Sequence, residues 1–385
     1  MHPTSPKISV VISSYNFRTY IGECIESVLA QTLQPWEIII SDDCSTDDSW
    51  AIIREYTERY PNLIKAIRHE SNIGPASNAD FGKQQATGDL ILWMDGDDRL
   101  PPRLLERQWQ ALQSCPEANV AYSNGYLINE AGKRVGIFYN GRGTPPPSGD
   151  IFIQLFSKNL FPGTQRTFRN HLLYRSVLQE IGYTDHNLES LWDWDQKIRL
   201  TARYKFVYTG ETLIEYRMHP GGFSRSNPSM HDRAFIAVYE KNLPLLKNRN
   251  PLDVARVKCR IESLIAMRGL RLPSEKKNNR YSPRNAYKRN RLLLDNLSDK
   301  DRFGLERELR DSYLLLPLLA MKDEFNQKNL LESFRFLLEF LRYFPKNFVP
   351  RRILEIMLPS RVFLQLRLLY RSIRGGTLAQ FDPLQ

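Results

Sequence analysis

Paired cysteines and long apolar runs are both missing from this chain of 385 residues. Its four cysteines stand far apart and form no C-x-x-C pair, so neither a disulfide framework nor a cysteine-bound metal is expected. No apolar window reaches the roughly 18 residues that a membrane-spanning helix needs. The apolar stretch at residues 8–12 lacks the length and the cleavage pattern of a signal peptide. These absences predict a cytoplasmic protein without a membrane span.

The composition excludes further classes of protein. With 42% hydrophobic and 25% charged residues, the chain is typical of a globular protein and unlike a disordered or collagenous one. A formal charge of +11 would suit nucleic acid or an anionic membrane, but no motif that reads nucleic acid accompanies it. The charge is divided unevenly along the chain. Residues 1–224 hold 22 Lys and Arg against 26 Asp and Glu, a net of −4, and residues 225–385 hold 32 against 17, a net of +15.

Short β-branched runs alternate with helical patterns through the first hundred residues. Strands are predicted at 8–12, 37–41, 64–68 and 90–94, which indicates an α/β fold with a mainly parallel sheet. Strand patterns end near residue 225, where Leu- and Arg-rich helical patterns take over. We therefore predict one domain over 1–225, with a nucleotide-binding half (1–100) and an acceptor half (101–225), followed by a basic α-helical domain over 226–385.

Polar residues follow three of the predicted strands. They are residues 13–16, Asp42 with Asp43, and the D-G-D-D run at 95–98. Ligands of parallel sheets gather at the carboxyl ends of the strands, so these side chains are expected at one edge. A single acidic strand end often serves only as a helix cap, but two on one edge repel each other and need a cation. Carboxylates in this number suit Mg²⁺ or Mn²⁺ completed by water and diphosphate oxygens.

Six segments in order resemble the family 2 inverting glycosyltransferases of the GT-A fold. The resemblance covers about residues 7–224. The segments are ISVVISSYN to EIIISDDCSTDD at 8–48, N-I-G at 72–74 with Asn78, ATGDLI into D-G-D-D at 86–98, LLYRSVLQEIGY at 172–183, W-D-W-D at 192–195 and Y-R-M-H at 216–219.

The resemblance implies a site for a nucleotide-sugar donor. By position, Ser13 and Tyr15 would line the base pocket, and Asp43 would accept a hydrogen bond from the ring N–H of the base. Asp95 resembles the family's ribose-binding aspartate. Asn78 lies in the segment that approaches the diphosphate, although a turn-forming Asn is an equal alternative. Asp42 is expected to cap the following helix instead.

The resemblance also implies a metal site and a catalytic base. Asp97 resembles the metal ligand; Asp98 would share the metal or orient the loop; His219 would complete the shell or serve only the structure. Asp193 is the candidate general base that takes the proton of the acceptor hydroxyl. The flanking Trp192 and Trp194 are expected to raise its pKa and to stack on sugar faces. A surface helix start at 192–195 is the alternative.

The sequence thus predicts a metal-dependent inverting glycosyltransferase of bacterial surface polysaccharide synthesis, with a glycan or lipid-linked acceptor. A nucleotidyltransferase and a non-catalytic sugar-nucleotide-binding subunit are the alternatives. The basic region, with its amphipathic stretches at 330–344 and 361–374, allows two interpretations. It would either pack on the catalytic domain with a solvated basic face or hold the enzyme at the inner face of the membrane through anionic lipid.

Overall fold

The strands of this protein lie in one mixed sheet, seen in a computed structural model that describes residues 6–141, 144–161, 166–223, 228–269 and 283–308. The order is β3-β2-β1-β4-β7-β5-β6, and β8 pairs with β5. The pairs β1–β2, β1–β4, β2–β3 and β5–β8 are parallel, whereas β7 and β6 are antiparallel to their neighbours. The strands are β1 (Ile8–Ser14), β2 (Glu37–Asp42), β3 (Ile64–Arg68), β4 (Leu90–Asp95), β5 (Val120–Ile128), β6 (Arg134–Ile137), β7 (Leu172–Tyr174) and β8 (Phe206–Arg217).

Helices connect these strands and continue after the sheet. The helices are α1 (Ile21–Leu29), α2 (Ser49–Arg59), α3 (Pro75–Gln84), α4 (Leu104–Ser114), α5 (Phe152–Phe156), α6 (Arg175–Ile181), α7 (Trp192–Arg203), α8 (Pro228–Asn242), α9 (Pro251–Gly269), α10 (Pro283–Asp295) and α11 (Asp299–Glu308). The predicted fold class, a mainly parallel α/β sheet followed by a helical region, is confirmed. Within the described residues, no helix combines the length and apolarity needed to cross a bilayer.

The four predicted strands are present, and three of them run further than their apolar residues. Ser14, Asp42 and Asp95 are the last residues of β1, β2 and β4. All seven residues of β1 are buried, as expected of a central parallel strand covered on both faces. A Cβ at Gly88 would lie 2.6 Å from the carbonyl oxygen of Lys7, so only glycine lets the chain enter β4 this close to β1.

The chain divides into two compact units, Met1–Arg249 and Asn250–Gln385. The sheet and α1 to α8 belong to the first unit. In the second, α9 packs on α10, and the buried Asn290 amide donates to the carbonyl oxygen of Cys259 at 3.1 Å. The amphipathic stretches at 330–344 and 361–374 lie outside the described residues.

Candidate active site

The strand register brings the predicted polar residues to one edge of the sheet. Ser13 pairs with Asp95 across β1 and β4, and Ser14 pairs with Asp42 across β1 and β2. The N–H of Gly96 donates to the carbonyl oxygen of Ser13 at 2.9 Å, which continues the pairing into the D-G-D-D run. Two acidic strand ends therefore stand on either side of β1.

The acidic pair after β2 is held by local donors. Asp42 accepts hydrogen bonds from the backbone N–H and the hydroxyl of Ser45, at 2.9 and 2.6 Å. Asp43 accepts the backbone N–H groups of Ile73 and Gly74, at 2.7 and 3.0 Å. All four carboxylate oxygens have a partner. Asp43 thus fixes the 72–74 loop, and its contact with a nucleotide base stays a prediction.

The carboxylates after β4 form a cluster of a different kind. Ligand oxygens of Asp95, Asp97 and Asp98 lie within 4.8 Å of one another. His219 Nε2 is 2.9 Å from Asp97 Oδ2, so the predicted ligand set is assembled from two distant segments. Among the described residues, the buried Asp97 Oδ1 and Asp98 Oδ2 find no hydrogen-bond partner. Oxygen and imidazole donors with two uncommitted buried oxygens fit a Mg²⁺ or Mn²⁺ ion.

Arg217, at the end of β8, braces this cluster through its backbone and side chain. Its N–H donates to Asp98 Oδ1 at 3.0 Å, and its Nε donates to the carbonyl oxygen of Asp97 at 2.8 Å. Its guanidinium is buried and also pairs with Glu23 of α1. The Y-R-M-H segment therefore supplies two functions, a positioning arginine and the histidine that contacts Asp97.

Arg169 lies against the carboxylate side chains of the cluster. Its Nη2 is ion-paired with Asp95, and its Nε is 3.7 Å from Asp98 Oδ2. The guanidinium carbon is 4.3 Å from the centre of the Tyr216 ring, within the range of a cation–π contact. Burial raises the pKa of Asp98 well above its usual range, and Arg169 acts in the opposite direction.

Asp193 lies in the first turn of α7 and is paired with a lysine one helical turn further along. Lys197 Nζ is 2.7 Å from Asp193 Oδ2, and the lysine side chain is only 5% exposed. Burial acts to raise the pKa of Asp193, but Lys197, with Arg169 and Lys158, outweighs it and holds that pKa well below its usual range. The expectation of a raised pKa is therefore wrong, because it considered the tryptophans and not the cations around the carboxylate.

The tryptophans beside Asp193 are buried and pack against other aromatic side chains. Trp194 is 1% exposed and stacks on Phe235 with ring centres 4.9 Å apart, so its expected contact with a sugar is wrong. Trp192 is also buried and packs against Trp93 at 5.5 Å. Leu191, just before α7, has a φ of 57°, a conformation that costs energy for a residue with a side chain. The turn that presents Asp193 is thus fixed by packing on both sides.

The other predicted donor-site residues take mixed positions. Tyr15 is 41% exposed at the edge of the sheet, and the Ser13 hydroxyl accepts the indole N–H of Trp93 at 2.8 Å. The Asn78 side chain is buried and donates to the carbonyl oxygen of Ser41 at 3.0 Å. Asn78 is therefore not an exposed turn residue, its buried Oδ1 has no hydrogen-bond partner among the described residues, and its approach to a diphosphate stays a prediction.

Sequence reasoning missed three cations of this site, Arg169, Lys197 and Arg217. Two of them had a signal: Lys197 follows Asp193 at the i, i+4 spacing of a helical ion pair, and Arg217 is part of Y-R-M-H. Arg169 had no such signal, because its partners are about 70 residues away along the chain and only the fold brings them together.

These features define an α/β fold with an acidic cluster at the carboxyl ends of its strands, and comparison with known proteins identifies the family. The family model for glycosyl transferase family 2 matches residues 9–179. EpsE of Bacillus subtilis, which bears the name of a glycosyltransferase, is 30% identical over 226 residues, covering 55% of this chain and 81% of that protein. An uncharacterized glycosyltransferase of Nostoc sp. is 39% identical over 221 residues, covering 55% of this chain and 65% of that protein. The chain belongs to glycosyl transferase family 2 and is a glycosyltransferase.

Solved structures support the same fold. The crystal structure of residues 1–349 of Staphylococcus aureus TarS, in complex with UDP-GlcNAc, superposes with a TM-score of 0.57 at 16% identity, covering 89% of this chain and 94% of that one. At this identity the likeness establishes the GT-A fold alone. The family finding argues against the nucleotidyltransferase and non-catalytic alternatives.

Proposed function

We propose that this enzyme transfers a sugar, with inversion, from a nucleoside-diphosphate sugar to a hydroxyl group of a glycan or lipid-linked acceptor. The observation that carries the proposal is the pairing of two unlike carboxylate sites around Arg169. One is the Asp97 and Asp98 group, with buried oxygens that accept no hydrogen bond from the described residues; the other is Asp193, ion-paired with Lys197. Inverting transfer needs both a charge acceptor for the leaving diphosphate and a base for the incoming hydroxyl.

Asp97, Asp98 and His219 would hold the divalent cation, Mn²⁺ or Mg²⁺. When bound, it acts as a Lewis acid that offsets charge on the departing nucleoside diphosphate. Arg217 keeps these ligands in place through its bonds to Asp98 Oδ1 and the carbonyl oxygen of Asp97. The precision of the ligand positions thus comes from β8 as well as from the D-G-D-D run.

Asp193 would accept the proton of the acceptor hydroxyl as its oxygen attacks the anomeric carbon. A carboxylate of low pKa is a weak base toward a free alcohol, so proton transfer is expected late, when the bond to the sugar is largely formed. The transition state has oxocarbenium character, as in glycoside hydrolysis. Lys197 would keep Asp193 ionised. By binding Asp193 Oδ2, it would also orient the carboxylate so that Oδ1 receives the proton of the acceptor hydroxyl.

The donor pocket would be formed at the edge of the sheet by Ser13, Tyr15, Asp43 and Asn78, with Asp95 toward the ribose. UDP-GlcNAc in the TarS complex supports a nucleotide-sugar donor. The class of product is supported by TuaG of Bacillus subtilis, which is named for teichuronic acid biosynthesis and is 36% identical over 120 residues, covering 31% of this chain and 47% of that protein. We propose a cell-surface polysaccharide as the product.

The proposal is tested by Asp193→Asn. A thermal-shift screen of nucleotide sugars with Mn²⁺ first identifies the donor, because a ligand of the folded state raises the apparent Tm. With that donor, Asp193→Asn should lose roughly a hundredfold to ten-thousandfold in kcat, as expected for loss of a general base. The donor-induced Tm shift should stay unchanged.

The matched control is Asp89→Asn, the same chemical change at an exposed carboxylate. It should leave turnover and donor binding as in the wild type. Turnover by Asp193→Asn at the wild-type rate, with donor binding intact, would reject the assignment of the base.

An anionic membrane surface is a further proposed partner, since residues 225–385 carry a net charge of +15. Each Lys or Arg near such a surface contributes about 1 kcal/mol. The full chain should sediment with vesicles of anionic lipid at low salt, be released at high salt, and not sediment with neutral vesicles. Replacing Lys276, Lys277 and Arg280 by Gln should weaken sedimentation, and equal sedimentation with both lipids would contradict the proposal.

A further inference from the structure

Arg169 contacts Asp98, a carboxylate that the divalent cation would use, and the neighbouring Asp95. Its Nη2 is bonded to Asp95 Oδ2, and its Nε faces Asp98 Oδ2 at 3.7 Å. That nitrogen and that oxygen are both buried, and neither has a hydrogen-bond partner among the described residues. Two buried polar atoms thus face each other just beyond hydrogen-bonding distance. Arg169 and Asp98 therefore attract each other by charge but form no hydrogen bond.

The charge of the cluster explains why a cation is held there. Three carboxylates within 4.8 Å repel one another strongly when they are withdrawn from water. In the described part of the chain, Arg169 is the guanidinium that pairs with the side chains of Asp95 and Asp98, since that of Arg217 binds carbonyl oxygens and Glu23. The guanidinium therefore offsets the charge that a divalent metal would also offset.

The surroundings of Arg169 allow it to leave these carboxylates without losing all its contacts. Its side chain is 23% exposed, and the face of Tyr216 lies 4.3 Å from the guanidinium carbon. It also lies close enough to Asp193 to stabilise that carboxylate. Arg169 thus contacts Asp95 and Asp98 and also acts on the charge of the proposed base, and the diphosphate and the sugar of a donor would meet beside it.

We propose that Arg169 competes with the divalent cation for the carboxylate of Asp98 and binds the donor diphosphate once displaced, which makes metal binding and donor binding mutually dependent. The inference rests on the proposed function for its metal site and its donor. A planar guanidinium suits the task, because it forms paired hydrogen bonds with carboxylates and with phosphates. Arg169 would then prevent tight metal binding until the diphosphate offers it new partners.

The test measures Mn²⁺ binding directly, by the electron paramagnetic resonance signal of free Mn²⁺ in titrations of the full chain. Arg169→Met should bind Mn²⁺ alone roughly fivefold or more tightly than the wild type, a typical size for coupling between two sites. Arg169→Lys, which keeps the charge, should lie close to the wild type. Arg54→Met, at an exposed arginine, controls for the loss of one positive charge.

A second titration includes each of UDP, GDP, ADP, CDP and dTDP. At least one of these nucleotides should tighten Mn²⁺ binding to the wild type. By linkage, Mn²⁺ should then tighten the binding of that nucleotide by the same factor. In Arg169→Met this mutual effect should shrink by roughly fivefold or more. Melting curves show whether each variant is folded, and Mn²⁺ should raise the Tm of Arg169→Met more than that of the wild type.

The outcomes separate the two proposals. Mn²⁺ binding to Arg169→Met that is equal to or weaker than wild-type binding would overturn the competition, with the metal site itself intact. An unchanged mutual effect with the nucleotide would overturn the transfer of Arg169 to the diphosphate. If neither the wild type nor any arginine variant bound Mn²⁺, the metal site of the proposed function would be rejected.

Discussion

The two acidic strand ends of this enzyme look alike in sequence and differ in what their carboxylates contact. After β2, Asp42 and Asp43 give all four oxygens to hydrogen bonds with the protein, most of them from backbone N–H groups. After β4, Asp97 and Asp98 each keep one buried oxygen without a hydrogen bond from any described residue. The first pair is complete within the protein, and the second is not.

The difference separates a carboxylate pair whose hydrogen bonds are satisfied within the protein from a pair that keeps buried oxygens without such bonds. Backbone donors stabilise Asp43 where it is and make it a structural part of the 72–74 loop. At the β4 end, mutual repulsion and the missing hydrogen bonds cost stability, which a metal ion would restore on binding. Functional sites commonly carry such a local cost.

A matched pair of substitutions, one at each acidic strand end, tests whether the two carboxylate pairs differ in role. Asp97→Asn should lower kcat/KM by roughly a hundredfold or more, because a Lewis acid contributes several kcal/mol of charge stabilisation. Its Tm without added metal should equal or exceed that of the wild type, because one of three repelling charges is removed. Initial rates and melting curves measure the two effects.

Asp43→Asn should have the opposite effects, with a lower Tm and an intact metal site. The new amide NH₂ would face the backbone N–H of Ile73 or Gly74, and a buried donor without a partner costs about 1–3 kcal/mol. The Tm should fall by several degrees, while Mn²⁺ affinity stays as in the wild type. An unchanged Tm with lost donor binding would show that Asp43 serves the nucleotide and not the loop.

The strands and the acidic edge could be predicted because their signals are local. Runs such as 37–41 and 90–94 are mainly apolar, and acidic residues follow them at once, so parallel packing places these residues together. The resemblance added His219, whose contact with Asp97 joins residues 122 apart in sequence. A helix does begin at Trp192, which the W-D-W-D pattern offered only as the alternative interpretation, but its two tryptophans are buried and not at a surface.

What the sequence could not provide is the set of partners that come from elsewhere in the fold. Asp43 differs from Asp97 because backbone N–H groups 30 residues later reach it, and no composition or spacing signals that contact. Arg169 is ordinary in its own segment and becomes important only beside Asp95. The pKa of Asp193 was misjudged for the same reason: the tryptophans are its neighbours in sequence, and the cations are its neighbours in space.

A smaller effect is expected at Asp193, whose carboxylate is bound by a side-chain cation and not by backbone N–H groups. It extends the comparison to a third kind of carboxylate. Lys197→Met removes that cation and leaves the burial, so the pKa of Asp193 should rise by about 1–3 units. Asp193 must be ionised to act as a base. The wild type should therefore show no loss from its protonation above about pH 4, whereas in the variant kcat/KM should fall as the pH drops toward the raised pKa.

The measurement is the profile of kcat/KM between about pH 3 and 8, which brackets the usual pKa of an aspartate, about 3.9. At the alkaline end Lys197→Met should approach wild-type activity, because Asp193 is ionised in both. Lys197→Arg keeps a positive charge one turn after Asp193 and should keep the wild-type profile. A loss in Lys197→Met that is the same at every pH would mean that Lys197 only supports the structure of α7, and Asp193 would then resemble Asp43 more than Asp97.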